Sequence, residues 1–401
     1  MQNRDLALDN CVKCSDCIAA CPVLKVYPAF SGPKALGPDM ERFRREGVES
    51  DSKWLEYCMG CHRCDMACPE AVNVSELIAR GKAQHKKGGR IALRDYWLAR
   101  PNLVGKLSSS ASGFTNAVMS LKPSHWAMSS LVHITPHRNF PRYATDPLQA
   151  GEGVTTGARK ALFFPGCFLR YNKPDVGRQI VELLGRIGFA VEVTPDICCG
   201  TPPGANGDAA ELMNCVQKNV AAMEKPLDAG ACIVTACTSC GYALKAEYSH
   251  LPTNGTLAAA GRKIAANTFD LGELLTELLD AGQLRADVRP IKTKLAYHAP
   301  CHLKSQGIGR PWLRLLRAVP GVEIEEMKAD CCGMAGTYGF KSEKYRISLD
   351  IGRELFERVE EYDPDAVVSE CGSCQMQIEH GTGLKALHPA EVLYAACQNQ
   401  H

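Results

Sequence analysis

The sequence predicts a multidomain α+β fold, in which a small helical module precedes a tandem-duplicated α/β domain with mainly parallel sheets. Two observations support this prediction. Two cysteine runs of identical spacing lie within the first 68 residues, and a second pattern of cysteines, strands and helices recurs with a period of about 134 residues. We divide the chain into a helical domain (1–85), a linker (86–157) and two repeats (158–290 and 291–401).

Composition places the chain among globular proteins with redox or metal centres. Its 401 residues exceed one ordinary core, and 45% hydrophobic and 22% charged residues are typical of a soluble protein. The start has no basic and apolar regions of a secretory signal, and no run of 18 apolar residues predicts a membrane-spanning helix. Twenty-one cysteines in a chain without an export signal therefore indicate metal ligands in the cytoplasm rather than disulfides.

Both N-terminal cysteine runs have the spacing C-x2-C-x2-C-x3-C-P. They consist of Cys11, Cys14, Cys17 and Cys21, and of Cys58, Cys61, Cys64 and Cys68. In this spacing the first three thiolates reach three corners of one 4Fe–4S cubane and the fourth ligates the other cubane. We therefore expect one cubane on Cys11, Cys14, Cys17 and Cys68, and another on Cys58, Cys61, Cys64 and Cys21. Zinc is the alternative, but zinc knuckles usually separate their cysteine pairs by a dozen residues or more. Residues 1–85 thus read as a helical two-cluster, ferredoxin-like domain.

The tandem repeat contains ten further matched cysteines. They are Cys167, Cys198, Cys199, Cys237 and Cys240 in the first repeat, and Cys301, Cys331, Cys332, Cys371 and Cys374 in the second. "KALFFPGCFL" and "KLAYHAPCHL" each predict a buried strand that runs into a cysteine, and "ACIVTACTSC" and "AVVSECGSC" each predict a strand that ends in C-x2-C. Alternating strands and helices indicate a mainly parallel sheet, whose carboxyl edge is where ligands collect.

Five thiolates exceed what a tetrahedral metal or one cubane accepts. Adjacent cysteines suit a cluster with a shared or bridging thiolate, and the glycine that follows each pair permits a positive φ. Outside the pattern, Cys215, Cys232 and Cys397 read as structural thiols. His298 and His302 flank Cys301, where they are either hydrogen-bond partners of its cluster or ordinary strand-end residues. Tyr338 and Lys341 border a quinone or partner site or are ordinary loop residues.

The linker region is strongly basic. Residues 80–145 contain eleven Lys or Arg and one acid, Asp95, which leaves +10 here and −8 in the remainder of a chain of net charge +2. Short apolar segments with Phe114, Trp126, Leu131 and Val132 alternate with this charge. The segment therefore either lies on an anionic membrane surface, or covers an acidic partner or the chain's own acidic half, or is a plain connector. No recognition motif accompanies the charge, so we expect no nucleic-acid partner.

The duplicated pattern C-x30-CC-x37-C-x2-C resembles the CCG cysteine-rich domain of the heterodisulfide reductase B subunit and of glycolate- and lactate-oxidising iron–sulfur subunits. The whole chain is more similar to the C-subunit family of anaerobic glycerol-3-phosphate dehydrogenase. This resemblance rests on "CVKCSDCIAACPV", "GPKALGPDMER", "YCMGCHRCDMACPEAVNVSELI", "FFPGCFLRYN", "HAPCHL", "CCGMAGTYGFKSEKY" and "ECGSCQMQIEHGTGLKALHP". The last two stretches discriminate best.

The resemblance implies an iron–sulfur electron-transfer subunit, peripheral at the cytoplasmic face of the membrane. It would accept electrons from a flavin-bearing protein that oxidises glycerol 3-phosphate and pass them towards quinone, with FAD held only by that partner. The eight N-terminal cysteines would hold two cubanes, and the two CCG sets would hold one or two non-cubane 4Fe–4S clusters.

Other functions stay open at this point. The sequence has no strand-linked G-x-G-x-x-G, no Walker loop and no H-E-x-x-H, so we assign no catalytic residue and no flavin site to this chain. The alternatives are an iron–sulfur subunit of a lactate- or glycolate-oxidising complex, and a disulfide reductase like the heterodisulfide enzyme.

Overall fold

The computed structural model describes residues 8–48, 53–87, 91–251, 255–284 and 288–398, and it confirms the predicted multidomain α+β class. The N-terminal part is helical and contains no strand within the described residues. Its helices are α1 (Asp16–Ala19), α2 (Pro22–Val26), α3 (Gly32–Lys34), α4 (Met40–Arg45), α5 (Arg63–Met66) and α6 (Val74–Lys87). A π-helical turn at Ala35–Asp39 joins α3 to α4, and 3₁₀ turns lie at Leu8–Asn10 and Lys53–Tyr57.

The two cysteine runs fold in the same way. In each run the residue after the second cysteine, Ser15 or His62, has a left-handed backbone, with φ of 78° and 59°. This turn lets the third cysteine point back to the same space as the first two before a short helix, α1 or α5, begins. After the first run, Pro22 opens α2, where a proline ring fits because the first helical N–H has no partner in the helix.

The linker forms four consecutive helices. They are α7 (Leu93–Leu98), α8 (Pro101–Ser110), α9 (Ser112–Ser120) and α10 (Lys122–Val132). The predicted interruption at Lys122-Pro123 is the start of α10, with Leu121 in an extended conformation between α9 and α10. Within the described residues, no helix is both long and apolar enough to cross a lipid bilayer.

The first repeat forms a five-stranded sheet. Its elements are β1 (Gly153–Val154), β2 (Arg159–Phe164), α11 (Gly166–Tyr171), α12 (Pro174–Arg186), β3 (Phe189–Val193), α13 (Thr201–Ala205), α14 (Ala209–Asp228), β4 (Cys232–Thr235), α15 (Thr238–Tyr242), α16 (Thr256–Ala266), β5 (Thr268–Asp270) and α17 (Leu271–Asp280). A second π-helical turn, Ala243–Glu247, continues α15, and a 3₁₀ turn follows at Tyr248–His250. The strand order is β1-β3-β2-β4-β5, and all pairs are parallel except β1 with β3.

The second repeat reproduces this topology without the antiparallel edge strand. Its elements are β6 (Thr293–Tyr297), α18 (Cys301–Gln306), α19 (Pro311–Arg317), β7 (Val322–Glu326), α20 (Tyr345–Tyr362), β8 (Ala366–Val368), α21 (Gly372–Thr382), β9 (Ala386–Leu387) and α22 (Pro389–Ala396), with 3₁₀ turns at Tyr338–Phe340 and Ser342–Lys344. The order β7-β6-β8-β9 is fully parallel and matches β3-β2-β4-β5. The predicted duplication and the predicted parallel sheets are both confirmed.

The two repeats pack against each other with approximate twofold symmetry. Helix α12 packs on α22, and α17 packs on α19. Because α12 corresponds to α19 and α17 to α22, the two contacts are equivalent, as in an isologous dimer. One buried apolar cluster runs through both repeats and includes Ile180, Leu275, Trp312 and Leu393. The carboxyl edges of the two sheets consequently face a common region.

The helical domain docks on the second repeat through its cysteine loops. Arg63, inside the second cysteine run, donates to the carbonyl of Asp330 at 3.0 Å and pairs with its carboxylate at 2.8 Å. Lys25 pairs with the same carboxylate, and α2 packs on α20. Asp330 directly precedes the Cys331-Cys332 doublet, so these contacts fix the second cysteine run beside the second repeat's cysteines.

Candidate metal centres

The first four predicted cubane ligands lie around one cavity. Cys11, Cys14, Cys17 and Cys68 line it together with Lys34, Pro38 and Val74. The backbone N–H of Val72 donates to the Cys68 sulfur at 3.4 Å. Three thiols of the first run and the last thiol of the second run are therefore brought together, in the crossed arrangement that the spacing predicts.

The other four predicted cubane ligands line a second cavity. Cys21, Cys58, Cys61 and Cys64 surround it, with Phe30, Pro33, Met59 and Ile78 among the remaining lining residues. Burial raises the pKa of the Cys21 thiol to about 11. Metal binding at this thiol would therefore release its proton.

Each CCG doublet contacts both the strand-end cysteine and the C-x2-C pair of its repeat. In the second repeat the Cys331 thiol contacts that of Cys301, while the Cys332 sulfur lies 3.3 Å from that of Cys374. Gly333 has a φ of +87°, and its N–H donates to the Cys331 sulfur at 3.3 Å. A Cβ at Gly333 would lie 2.0 Å from the Ser348 carbonyl oxygen, so this close approach requires glycine. Two adjacent cysteines thus reach different partners because the chain turns sharply after them.

The first repeat has the same construction. The Cys199 thiol contacts Cys240, and Cys167 lies near Cys199. Gly200 has a φ of +102°, and its N–H is 3.5 Å from the Cys198 sulfur. Burial raises the pKa of the Cys167 thiol to about 12. Cys237 contacts Cys240, and Cys371 contacts Cys374, so all five matched cysteines of each repeat are gathered at the carboxyl edge of its sheet.

The cysteine sets lie in a series, in which Cys17 of the first cavity lies near Cys21 of the second. Cys61 of the second cavity lies near Cys301 and Cys331 of the second repeat. The thiols of Cys371 and Cys237 contact each other across the approximate twofold axis and so join the two repeats.

His302 ties three of these sites together. Its ring nitrogens lie 3.0 Å from the carbonyl oxygen of Gly60, in the second cysteine run, and 2.8 Å from the hydroxyl of Ser239, in the first repeat. Its ring stacks on Tyr242, with ring centres 5.3 Å apart. Position 302, next to Cys301, therefore serves as a junction within the described structure.

Comparison with known families agrees with these sites. A model described as "4Fe-4S dicluster domain" matches residues 7–72, and one described as "Cysteine-rich domain" matches residues 161–245 and 295–379. The C subunit of anaerobic glycerol-3-phosphate dehydrogenase from Escherichia coli (strain K12) is 33% identical over 400 residues, which covers 98% of this chain and 99% of that protein. The chain belongs to the C-subunit family of anaerobic glycerol-3-phosphate dehydrogenase.

Relatives of this C-subunit family extend to other oxidoreductases. The B subunit of fumarate reductase (CoM/CoB) from Methanothermobacter marburgensis is 28% identical over 404 residues, or 96% of this chain and 70% of that protein. A probable glycolate oxidase iron–sulfur subunit of Bacillus subtilis (strain 168) is 24% identical over 427 residues, or 96% and 93%. The chain is thus an iron–sulfur protein of electron transport, with a 4Fe–4S dicluster module and a duplicated CCG domain.

A cluster of buried and half-buried lysines lies near the second cavity of this C-subunit homologue. Lys82, Lys86, Lys341 and Lys344 are paired with two carboxylates, Glu56 and Asp95. Although burial opposes it, Lys82 and Lys341 lower the pKa of Glu56 to about 2, while burial and Lys341 lower the pKa of Lys344 to about 7. The Lys82 ammonium lies 3.4 Å from the Cys58 carbonyl. Positive charge beside Cys58, a predicted cluster ligand, fits an anionic group such as a thiolate-ligated cluster.

Two residues lie beside the cysteine sets of the repeats without a clear signal in the sequence. Arg138 of the linker is 2% exposed, donates to the Gly339 carbonyl and the Ser348 hydroxyl, and lies near Cys332. Cys215, predicted to be a structural thiol, contacts Cys198 in the first repeat. Neither follows the repeat pattern, so only the tertiary fold shows where they lie.

Much of the linker's charge is neutralised by the chain itself. Arg94 pairs with Glu343 at 2.9 Å, and Arg100 pairs with Asp208 at 2.8 Å. The predicted contact with the chain's own acidic groups therefore exists for part of the linker. Six large apolar side chains of α8, α9, α10 and the α9–α10 connection are nevertheless exposed. They are Leu103, Leu107, Phe114, Leu121, Trp126 and Leu131. We refer to these six as the linker apolar surface.

Proposed function

We propose that this chain is the electron-transfer subunit of a membrane-associated dehydrogenase complex that oxidises glycerol 3-phosphate and reduces quinone. A flavoprotein partner would oxidise the substrate, and this chain would connect it to the acceptor. The observation that supports this role is the contiguous series of four cysteine sets, from the first cavity to the second, then to the second repeat and finally to the first repeat.

Cysteines would hold the clusters, and other residues fix the distances between the cluster sites. Eight cysteines around the two cavities would hold two cubanes, and the five cysteines of each repeat would hold one non-cubane 4Fe–4S cluster. Bound clusters of this kind accept and release single electrons, whereas a flavin delivers two. The Arg63–Asp330 contacts and the His302 junction keep the second cavity against the second repeat, so the distances along the series are set by the fold rather than by a mobile linker.

Glycerol 3-phosphate is the substrate that we propose for the partner, because the full-length similarity to the C subunit of the Escherichia coli enzyme spans nearly all of both chains. The chain itself would not contact this substrate. FAD would belong to the partner, and a quinone would accept the electrons.

The linker apolar surface supports a peripheral membrane position. Trp126 and Leu131 are 71% and 80% exposed, and Phe114 is 75% exposed. Lys106 and Lys122 are exposed on the same group of helices. Apolar side chains with nearby lysines suit the headgroup region of an anionic bilayer, where each lysine contributes about 1 kcal/mol. This placement would bring the complex close to a lipid-soluble quinone.

The contact between Cys237 and Cys371 favours one alternative, a disulfide reductase that acts between the two repeats. A lactate- or glycolate-oxidising complex is the other alternative, and it differs only in the partner and its substrate.

The test is to purify the tagged chain anaerobically with its native partners in mild detergent. We expect a flavoprotein to co-purify and glycerol 3-phosphate to bleach the iron–sulfur absorbance of the complex, whereas the isolated chain stays oxidised. A quinone analogue should then restore the absorbance. Bleaching by lactate or glycolate alone would contradict the substrate, and reoxidation by a disulfide but not by quinone would contradict the acceptor.

A further inference from the structure

The two repeats share their cysteines but differ in the residue that precedes the strand-end cysteine by three positions. This residue is Phe164 in the first repeat and His298 in the second. Both are about 1% exposed and both lie at the carboxyl end of the central strand, β2 or β6. One site therefore has an apolar wall where the other has a polar group.

His298 has no hydrogen-bond partner for either ring nitrogen within the part of the chain that the structure describes. Leaving a buried N–H without a partner costs about 1–3 kcal/mol. A ring nitrogen of His298 and the sulfurs of Cys332 and Cys374 all lie within 4.8 Å of one another. The backbone N–H of His298 donates to the Val368 carbonyl at 3.0 Å, which fixes the residue between β6 and β8. A ring nitrogen of His298 without a hydrogen-bond partner among the described residues thus lies beside the sulfurs of the second repeat.

We propose that His298 donates an N–H hydrogen bond to the thiolate sulfurs of the cluster in the second repeat, and that this bond sets the reduction potential of that cluster above that of the cluster in the first repeat. The proposal rests on the proposed function, since it requires clusters in the repeats. Reduction adds negative charge, and a donor aimed at a cluster sulfur stabilises the reduced form more than the oxidised form. His298 would then act on the cluster through a hydrogen bond to its sulfurs and would not be a ligand of iron.

The charged groups near the cysteines also differ between the two repeats, and this difference would also raise the reduction potential of the second site relative to the first. The guanidinium of Arg138, buried near Cys332, contacts no carboxylate among the described residues. In the first repeat the Glu247 carboxyl lies near Cys199 and the Asp196 carboxyl lies near Cys167. In the second repeat Lys304 lies near Cys301 and Cys331, and burial raises the pKa of the Glu370 carboxyl, near Cys371, to about 8. The second site is therefore more positive than the first.

The test uses the full chain, purified anaerobically with its clusters, and EPR-monitored redox titration beside iron and sulfide analysis. H298F installs the first repeat's own residue, and H298Q keeps an N–H donor. We expect H298F to retain its iron and to move the midpoint potential of one non-cubane signal to a more negative value, with both cubane signals unchanged. In H298Q the midpoint potential of that signal should stay close to its wild-type value. As a control, H125F removes a half-buried histidine that bonds Met119 and Pro136 in the linker, and it should shift no cluster.

An unchanged potential in H298F with full iron content would overturn the inference. Loss of iron from both H298F and H298Q would also overturn it, because His298 would then be a ligand. If only H298F loses iron, a wild-type potential in H298Q supports the proposal and a lowered potential contradicts it. A wild-type protein with cubane signals alone would remove the cluster that His298 is proposed to contact. None of these results depends on which flavoprotein or substrate the complex uses, so they are distinct from a failure of the proposed dehydrogenase role.

Discussion

Lys341 and Asp95 form a buried ion pair with 2.9 Å between nitrogen and oxygen, and their side chains are only 4% and 6% exposed. The pair joins the loop after the second CCG doublet to the first linker helix, α7. Lys86 and Arg94 also contact Asp95, at 2.9 and 3.3 Å. The pKa of Asp95 lies well below its ordinary value because Lys341 and Lys86 outweigh the effect of burial, which would raise it.

This pair predicts a large stability loss for K341M. Methionine fills the space but leaves Asp95 with fewer cations in a buried site, and breaking a buried pair costs about 3–5 kcal/mol. The unfolding midpoint of the anaerobic protein, followed through its cluster absorbance, should fall clearly. K122M, which removes an exposed lysine of α10, should change stability by less than about 0.5 kcal/mol. Equal midpoints for the two variants would contradict a structural role for this pair.

The crossed arrangement of the N-terminal cysteines predicts matched losses. C68S should abolish the same EPR signal as C14S, because both thiols line the first cavity. C21S should abolish the same signal as C61S, because both line the second. Cys232, whose sulfur lies 3.6 Å from the Lys160 carbonyl oxygen, offers a control, and C232S should keep every signal. If C68S instead removed the signal that C61S removes, each run would hold its own cluster and the crossed assignment would be wrong.

The linker apolar surface predicts membrane binding that two substitutions weaken. The W126S/L131S double variant should bind vesicles of mixed anionic and neutral lipid at least roughly tenfold less tightly, because burying each side chain contributes about 2 kcal/mol. F43S removes an apolar side chain that is 53% exposed in the helical domain and should bind like the wild type. Sedimentation with vesicles measures both. Unchanged binding in the double variant would exclude α10 as the membrane contact.

Asp270 predicts a stability change with pH. Burial raises the pKa of its carboxyl from 3.8 to about 6, and one of its oxygens accepts from the Gly272 N–H at the start of α17 while the other has no partner among the described residues. The ionisable groups that face it are Glu273 and Lys245 in its own repeat, and Tyr297 and Glu370 in the second. The folded state therefore binds this proton more tightly than the unfolded state does.

The contribution of Asp270 is consequently greatest below pH 4 and is lost as the pH rises from about 4 to about 6, by at most about 3 kcal/mol. D270N keeps the helix cap and should remove this slope from the unfolding midpoint, whereas D175N, at a carboxylate whose side chain is 90% exposed, should leave it. A D270N profile parallel to that of the wild type would contradict the assignment.

The candidate cluster ligands could be predicted from the sequence because cysteine spacing is a local property. The three-residue steps within each N-terminal run are short enough to define one loop, and the period between Cys167 and Cys301 exposes the duplicated sheet edge. The same reasoning could not show where the cysteine loops of the helical domain dock. That docking depends on Arg63 finding Asp330, two residues far apart in the chain, whereas the matching position in the first repeat is Ile197.

Long-range placement also explains what was missed around the sites. The count of charged residues shows that the linker is basic. It does not show that Arg100 pairs with Asp208 or that Arg138 is buried near Cys332, because both contacts depend on the tertiary fold. Cys215 has no counterpart in the second repeat, so the repeat pattern had no means of placing it beside Cys198.

The central claim is that the repeats hold iron as well as the N-terminal domain. The most direct measurement is iron and acid-labile sulfide per chain in the anaerobically purified protein, together with zinc and EPR. Four occupied sites predict about 16 irons, and signals beyond those of two cubanes. About eight irons with cubane signals alone, or zinc in place of iron, would contradict the account.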